Sequence, residues 1–141
     1  MSQYYELGEV TLWNPSHGAS RLFLRQVALF EEEFGLLSGI GPMEADEAKV
    51  DLDVFNEFIS SLLAWRGRMH HIIIQALSDG FIATCLVLAE RAGATVPWPE
   101  PRVDIAGGSH DLQVETPATP GEGWQTHVRE QAALLAGFMP R

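Results

Sequence analysis

The run from Phe81 to Ala92 restricts the fold more than any other feature, because it is apolar on nearly every side of a helix. A helix without a polar face has to be buried among other elements. We therefore predict that residues 81–92 form a central helix, which Gly93 ends. A chain of 141 residues is long enough to cover such a helix within one domain.

Two amphipathic segments precede this run and are predicted to pack against it. The first begins at a serine within residues 16–20 and ends at Gly35. The second begins at an aspartate within residues 51–53, continues to Leu77 and breaks at residues 78–80. Its apolar stripe is the clearest in the chain and comprises Phe55, Phe58, Ile59, Leu62, Met69, Ile73 and Leu77.

The predicted strands are short. Residues 4–13 alternate weakly around Gly8, which predicts a strand or a hairpin, and residues 49–52 are typical of another short strand. Residues 94–123 are rich in proline and glycine, and indicate either a small hairpin of 103–105 with 112–114 or an extended arm. A final helix is predicted over residues 123–137.

The predicted fold is therefore mainly α, a small helical bundle with a minor β-hairpin component. Residues 1–95 would form the helical core with its N-terminal strands. Residues 96–141 would add a Pro- and Gly-rich arm and a C-terminal helix that packs on the same domain.

Charge and hydropathy disfavour two classes of partner. Nineteen acidic residues against nine basic ones give a net charge of −10, whereas nucleic-acid binding relies on clustered lysine and arginine. The N-terminus lacks the basic and apolar segments of a secretory signal, and the apolar run near Phe81 is shorter than the roughly 20 residues of a membrane span. We expect a cytoplasmic protein that binds neither nucleic acid nor membrane.

The residue types that carry chemistry are sparse. Cys85 is the single cysteine, and its apolar neighbours predict a buried, unreactive thiol, with a nucleophile as the alternative. The five histidines follow no recognised metal-ligand spacing and no motif implies a cofactor, so neither is predicted. His70 is the candidate for acid–base catalysis, because imidazole titrates near neutral pH. An ordinary bonded histidine is the alternative.

Negative charge gathers between the first two helices. From Glu31 to Glu57 there are nine acidic residues and one basic residue. Three glutamates occupy the last turn of the first helix, where the helix dipole disfavours carboxylates unless an arginine or an outside group neutralises them. The sequence predicts a contact surface for a basic protein comprising Glu31, Glu32, Glu33, Glu44, Asp46, Glu47, Asp51 and Asp53. A solvated face and a cation site are the alternatives.

The start of the first helix is a second candidate site. A helix N-terminus offers free amide groups to an anion, and two arginines follow one turn apart on one face. The candidate residues for a phosphate or carboxylate ligand are Ser16, His17, Arg21, Arg25, Trp13 and Trp65, with His70 as the base. The alternative is a capped turn whose arginines pair with the protein's own acids.

Three segments resemble an uncharacterised family of small actinobacterial proteins. They are Thr11–Gly18 (TLWNPSHG), Arg21–Val27 (RLFLRQV) and Ser38–Met43 (SGIGPM), and the likeness covers roughly residues 1–95. The resemblance implies an actinobacterial source and no particular activity. It also adds weight to residues 11–25 as a functional segment.

These features leave three functions open. The leading one is a non-catalytic acidic binding or accessory protein, immunity-like, that docks on a basic protein partner. The alternative is a small-molecule-binding protein or accessory enzyme of secondary metabolism, with a pocket near His70, Arg21 and Arg25. The third is a homo-oligomer in which the C-terminal helix packs on a second copy.

Overall fold

The computed structural model describes residues 2–100 and 123–141. In these ranges the chain forms β1 (Tyr4–Leu7), β2 (Val10–Trp13), α1 (His17–Phe34), β3 (Glu47–Lys49), α2 (Leu52–Arg68), α3 (Ile72–Arg91) and α4 (Gly123–Ala136). The fold is mainly α with a minor β component, which confirms the predicted class. The hairpin predicted within residues 103–114 lies outside the described residues.

The three strands form one small sheet with β1 at its centre. β2 pairs antiparallel to β1 across a turn at Gly8, whose φ of +59° suits glycine, and this confirms the predicted hairpin. β3 pairs parallel to the other side of β1, so that Tyr5 lies between Trp13 and Ala48 in the register. β3 covers residues 47–49 and not the predicted 49–52, because α2 already begins at Leu52.

The predicted ends of α1 are confirmed, and so is the start of α2. The Ser16 hydroxyl accepts a hydrogen bond from the Ala19 amide at the start of α1, and Gly35 ends that helix in the left-handed conformation. The Asp51 carboxylate caps α2 by accepting from the Val54 amide.

The predicted break at residues 78–80 is wrong, because these residues lie inside α3. The chain leaves the helix at 69–71 instead, and the His71 ring accepts a hydrogen bond from the Ile74 amide to cap α3. This earlier break rotates the following residues away from the predicted stripe. Ile73 and Leu77 are therefore 51% and 74% exposed, although the sequence pattern placed them in the core.

α3 is nevertheless the central helix, as the sequence predicts. Its buried residues from Phe81 onward are Phe81, Ile82, Ala83, Cys85, Leu86, Val87, Leu88 and Ala89. The Phe81 ring stacks on Phe30 of α1 with 4.8 Å between centroids, and meets Phe58 of α2 edge-on. By length and composition α3 could also cross a membrane, but 56% of its most apolar window is buried inside the fold.

A buried ion pair joins α2 to α3. The Arg66 Nε atom donates to the Asp79 carboxylate at 2.6 Å, and Arg66 is only 4% exposed. Its guanidinium also lies over the Trp124 ring of α4, 5.0 Å from the centroid. The Asp79 carboxylate therefore pairs with Arg66, 13 positions earlier in the chain, and does not cap a new helix.

A second arginine fixes the far end of α4. Arg91, in the last turn of α3, donates to the backbone carbonyls of Leu12, Ala136 and Met139 at 2.8 to 3.1 Å. Burial lowers the pKa of Arg91, with a further lowering from the charge of Arg141. α4 therefore starts beside Arg66 and Gly67 of α2 and finishes beside Arg91.

Two buried polar groups stay protonated. Burial raises the pKa of Tyr5 to about 12, despite a hydrogen bond with Ser20 at 2.8 Å that acts in the opposite direction. Burial likewise raises the pKa of the Cys85 thiol well above its ordinary value. The predicted burial of Cys85 is confirmed, and its surroundings do not favour the reactive thiolate.

Candidate functional site

The acidic residues lie near both ends of α1 and at the start of α2. We use the name acidic band for Glu31, Glu32, Glu33, Glu44, Asp46, Glu47, Asp51 and Asp53. At the C-terminal end of α1, the Glu31 carboxylate accepts from the Ser38 amide at 2.8 Å. At the N-terminal end, His17 Nε2 lies 3.7 Å from Asp46 Oδ1. His17 and Glu31 are 14 positions apart on α1, so these two groups of acids are roughly 20 Å apart.

The loop between α1 and β3 is fixed where Ser38 and Gly39 pack against the start of α2. Gly39 has a φ of +80°, and a Cβ there would lie 2.6 Å from the carbonyl oxygen of Asp51 and the amide of Phe55. Only glycine fits that contact, which holds the loop against the start of α2. The Ser38 side chain is fully buried, and its hydroxyl accepts from the Ile40 amide.

A strained turn presents three acids of the band. Glu44 and Glu47 exchange both backbone hydrogen bonds at 2.9 Å, and the two residues between them have φ values of 50° and 64°. Positive φ at both central residues is typical of the type I′ turn, which usually carries asparagine or glycine. Ala45 and Asp46 occupy it here at a cost in strain, and such strain is concentrated at functional segments.

The band divides into acids with an internal contact and acids without one. Glu31 accepts from a loop amide, Asp51 caps α2, and Asp46 lies close to His17 and Gln3. The carboxylates that make no polar contact with the described chain are Glu32, Glu33, Glu44, Glu47 and Asp53. Within residues 2–100 and 123–141, no arginine or lysine pairs with any acid of the band.

A basic groove lies along the N-terminal half of α1. Its volume is about 390 Å³, and it is lined by Gln3, His17, Arg21, Leu24, Arg25, Ala28 and Met43. The structure thus brings His17 together with the two arginines, and neither arginine has a carboxylate partner in the described part of the chain. Ser16 lies at the adjoining cap of α1.

The other residues predicted for this site lie elsewhere. Trp13 is buried and stacks on Tyr5 at 5.3 Å between centroids. Trp65 lines a different groove, described next. His70 lies exposed in the link between α2 and α3 and lines neither groove. Among the described residues, no three His, Cys, Asp or Glu side chains are grouped so as to hold a metal ion.

An apolar groove between α1 and α3 is the feature that the sequence pattern missed. It has a volume of about 280 Å³ and is lined by Gln26, Leu29, Phe30, Glu33, Trp65, Ile74, Leu77 and Ser78. Assigning Leu77 to the buried stripe of a single long helix concealed it. A helix break placed at residues 69–71 would have revealed it, because α3 then turns Leu77 away from the buried position of Ser78.

Comparison with family models places the chain in a family without assigning an activity. No curated protein matches the chain. No solved structure matches it. One family model, described as a family of unknown function (DUF6086), matches residues 1–141 and so extends past the residues that carried the resemblance. The chain therefore belongs to DUF6086, a family of unknown function.

Proposed function

We propose that this protein is a non-catalytic binding protein whose acidic band docks on a basic protein partner, in the manner of an immunity or accessory protein. One observation carries the proposal. The carboxylates of the band lie near the ends of α1 and at the start of α2, and no described arginine or lysine neutralises them.

The electrostatics of the band favour such a partner. The like charges in the last turns of α1 repel one another and also face the negative end of the helix dipole. A lysine- or arginine-rich surface that binds there offsets both the repulsion between the carboxylates and their repulsion by the helix dipole. Because the band is exposed, the attraction mainly speeds association and is screened by salt. The fixed loop reduces the entropy that ordering the contact would otherwise cost.

The test is capture of a partner at low and high ionic strength. The double variant Glu32→Gln/Glu33→Gln removes two acids that have no role in the described fold, whereas Glu31 and Asp51 stay because they hold the loop and the helix. The matched control, Glu9→Gln/Glu130→Gln, removes the same charge from exposed positions outside the band. We expect a strongly basic protein whose capture falls steeply with salt and falls in the band variant only. Capture that ignores both salt and the band variant would contradict the proposal.

The basic groove supports a second candidate function, the binding of a small anionic molecule. Its support is the convergence of His17, Arg21 and Arg25 on one cavity. His70 lies outside its lining, so the groove supports binding and not catalysis by His70. Calorimetric titration with inorganic phosphate or citrate should give saturable heat that Arg21→Gln/Arg25→Gln abolishes and Arg68→Gln retains. A wild-type protein that binds neither probe would leave this candidate without support.

A further inference from the structure

We propose that the apolar groove between α1 and α3 receives an amphipathic helix of the basic partner, with a lysine or arginine of that helix beside Glu33. The inference rests on the proposed function, and it specifies the form of the partner. Four observations support it: exposed aliphatic side chains, a rigid aromatic floor, the shape between two helices, and the charge at the rim.

The walls of the groove leave large aliphatic side chains in water. Leu77 is 74% exposed, Leu29 is 58% exposed and Ile74 is 37% exposed. Helical spacing extends both walls, because Leu22 lies seven residues before Leu29 and Ile73 lies four residues before Leu77. Leu22 and Ile73 are 63% and 51% exposed. A contiguous surface of this kind marks a contact site more often than isolated leucines do.

The floor of the groove is formed by aromatic rings that belong to the core. Phe30 meets Trp65 edge-on at 5.3 Å between centroids, and also contacts the rings of Phe34 and Phe81. These contacts fix the depth of the groove before any ligand binds. A preformed floor between two helices is the arrangement that binds helices through side chains at positions i, i+3 or i+4, and i+7. A volume of about 280 Å³ is suited to such side chains, not to a whole helix.

The negative charge of Glu33 at the groove favours a helix with a positive charge. It lines the apolar groove and also belongs to the acidic band, so the two surfaces meet at this residue. No described lysine, arginine or histidine pairs with it. A second copy of the chain would carry the same net charge of −10 and would be repelled as a whole. An anionic membrane would be repelled in the same way, whereas a basic helix is attracted.

The test uses a synthetic peptide of leucine and lysine with the leucines at helical spacing, titrated into the full chain by calorimetry. We expect saturable binding. The double variant Leu29→Ser/Leu77→Ser should weaken it by about tenfold or more, because anchor side chains carry most of such affinity. The matched control is Leu37→Ser/Leu134→Ser, which truncates two comparably exposed leucines outside the groove. It should change the affinity by less than about twofold.

Two further peptides separate shape from charge. A leucine–lysine peptide of the same composition with scrambled order lacks the apolar stripe, and a leucine–glutamate peptide keeps the stripe but reverses the charge. Both should bind at least about tenfold more weakly than the first peptide. Glu33→Gln should weaken the binding of the first peptide, whereas Glu130→Gln should leave that affinity unchanged.

Other outcomes overturn the inference. Equal binding of the ordered and scrambled peptides would mean that charge alone acts, which rejects the groove while leaving the acidic band as a docking surface. If the ordered peptide does not bind, the proposal that the groove receives a helix is also wrong. Self-association that Leu29→Ser/Leu77→Ser abolishes would identify a second copy as the occupant. Binding to phosphatidylglycerol vesicles through the same leucines would identify a membrane.

Discussion

The two halves of α3 have similar side chains and opposite surroundings. From Phe81 to Ala89 the helix is buried by its neighbours, whereas Ile72, Ile73, Ile74 and Leu77 in its first two turns are exposed by a third or more. The buried half is covered from several sides. Phe81 packs on Phe30 of α1 and Phe58 of α2. Gln131, in the middle of α4, lies beside Gly80, and the last residues of α4 lie beside Arg91. An apolar sequence thus shows that a face needs cover, but not which element supplies it.

Thiol labelling should separate the two halves most strongly. Cys85 lies in the buried half, where burial raises the pKa of its thiol, so it reacts only when the protein opens. We expect it to react at least about a thousandfold more slowly than the new thiol of a Leu77→Cys/Cys85→Ala variant. The rates with a thiol reagent measure this. Similar rates in the folded protein would place both halves in similar surroundings.

Breaking the ion pair that joins α2 to the junction of the two halves of α3 should cost the most stability. Asp79→Ala leaves Arg66 buried without a carboxylate partner, and such a change costs about 3–5 kcal/mol in the free energy of unfolding. Urea unfolding measures the loss. The apolar double variant Arg66→Met/Asp79→Leu is the control and should recover much of it, because no charge is then left buried. A double variant as unstable as Asp79→Ala would assign the loss to packing and not to the unpaired charge.

Truncation within the buried half should cost slightly less. Leu88→Ala removes a side chain with no exposed surface and should destabilise the fold by about 2–5 kcal/mol, because a cavity replaces packed atoms. The measurement is again the midpoint and slope of urea unfolding. A small loss would mean that neighbouring side chains collapse into the space.

The same change in the exposed half should have the smallest effect. Leu77→Ala removes a side chain that is 74% exposed, and should change the free energy of unfolding by no more than about 0.5 kcal/mol. The same unfolding experiment provides the value. A loss comparable with that of Leu88→Ala would show that residues 72–77 are covered in solution, for example by a second copy, and would contradict an open groove.

Prediction from sequence succeeded where a pattern is local. The hairpin around Gly8, the cap at Ser16 and the buried run from Phe81 each depend on neighbouring residues, and each is confirmed. The position of the break after α2 was predicted wrongly, because Ser78, Asp79 and Gly80 have the composition of a turn. Asp79 instead meets Arg66, a contact between two helices that no local pattern contains.

The candidate sites could be predicted only in part from the sequence, for the same reason. The charge between Glu31 and Asp53 is visible in the sequence, but its division into bonded and unbonded carboxylates depends on amides in the folded loop. The shared groove of Arg21 and Arg25 follows from helical spacing. The apolar groove combines α1, α2 and α3, and therefore required the fold.

Arg91 has a consequence for how this family can diverge. Its guanidinium donates hydrogen bonds to main-chain carbonyl oxygens. Such an oxygen accepts a hydrogen bond whichever side chain its residue carries. Replacing Ala136 with another residue therefore alters no partner of Arg91, whereas Arg91→Lys loses the planar group that reaches three oxygens at once. We expect relatives to drift at residue 136 while keeping arginine at residue 91, so that the end of α4 is inherited as a path of the backbone and not as a set of side chains.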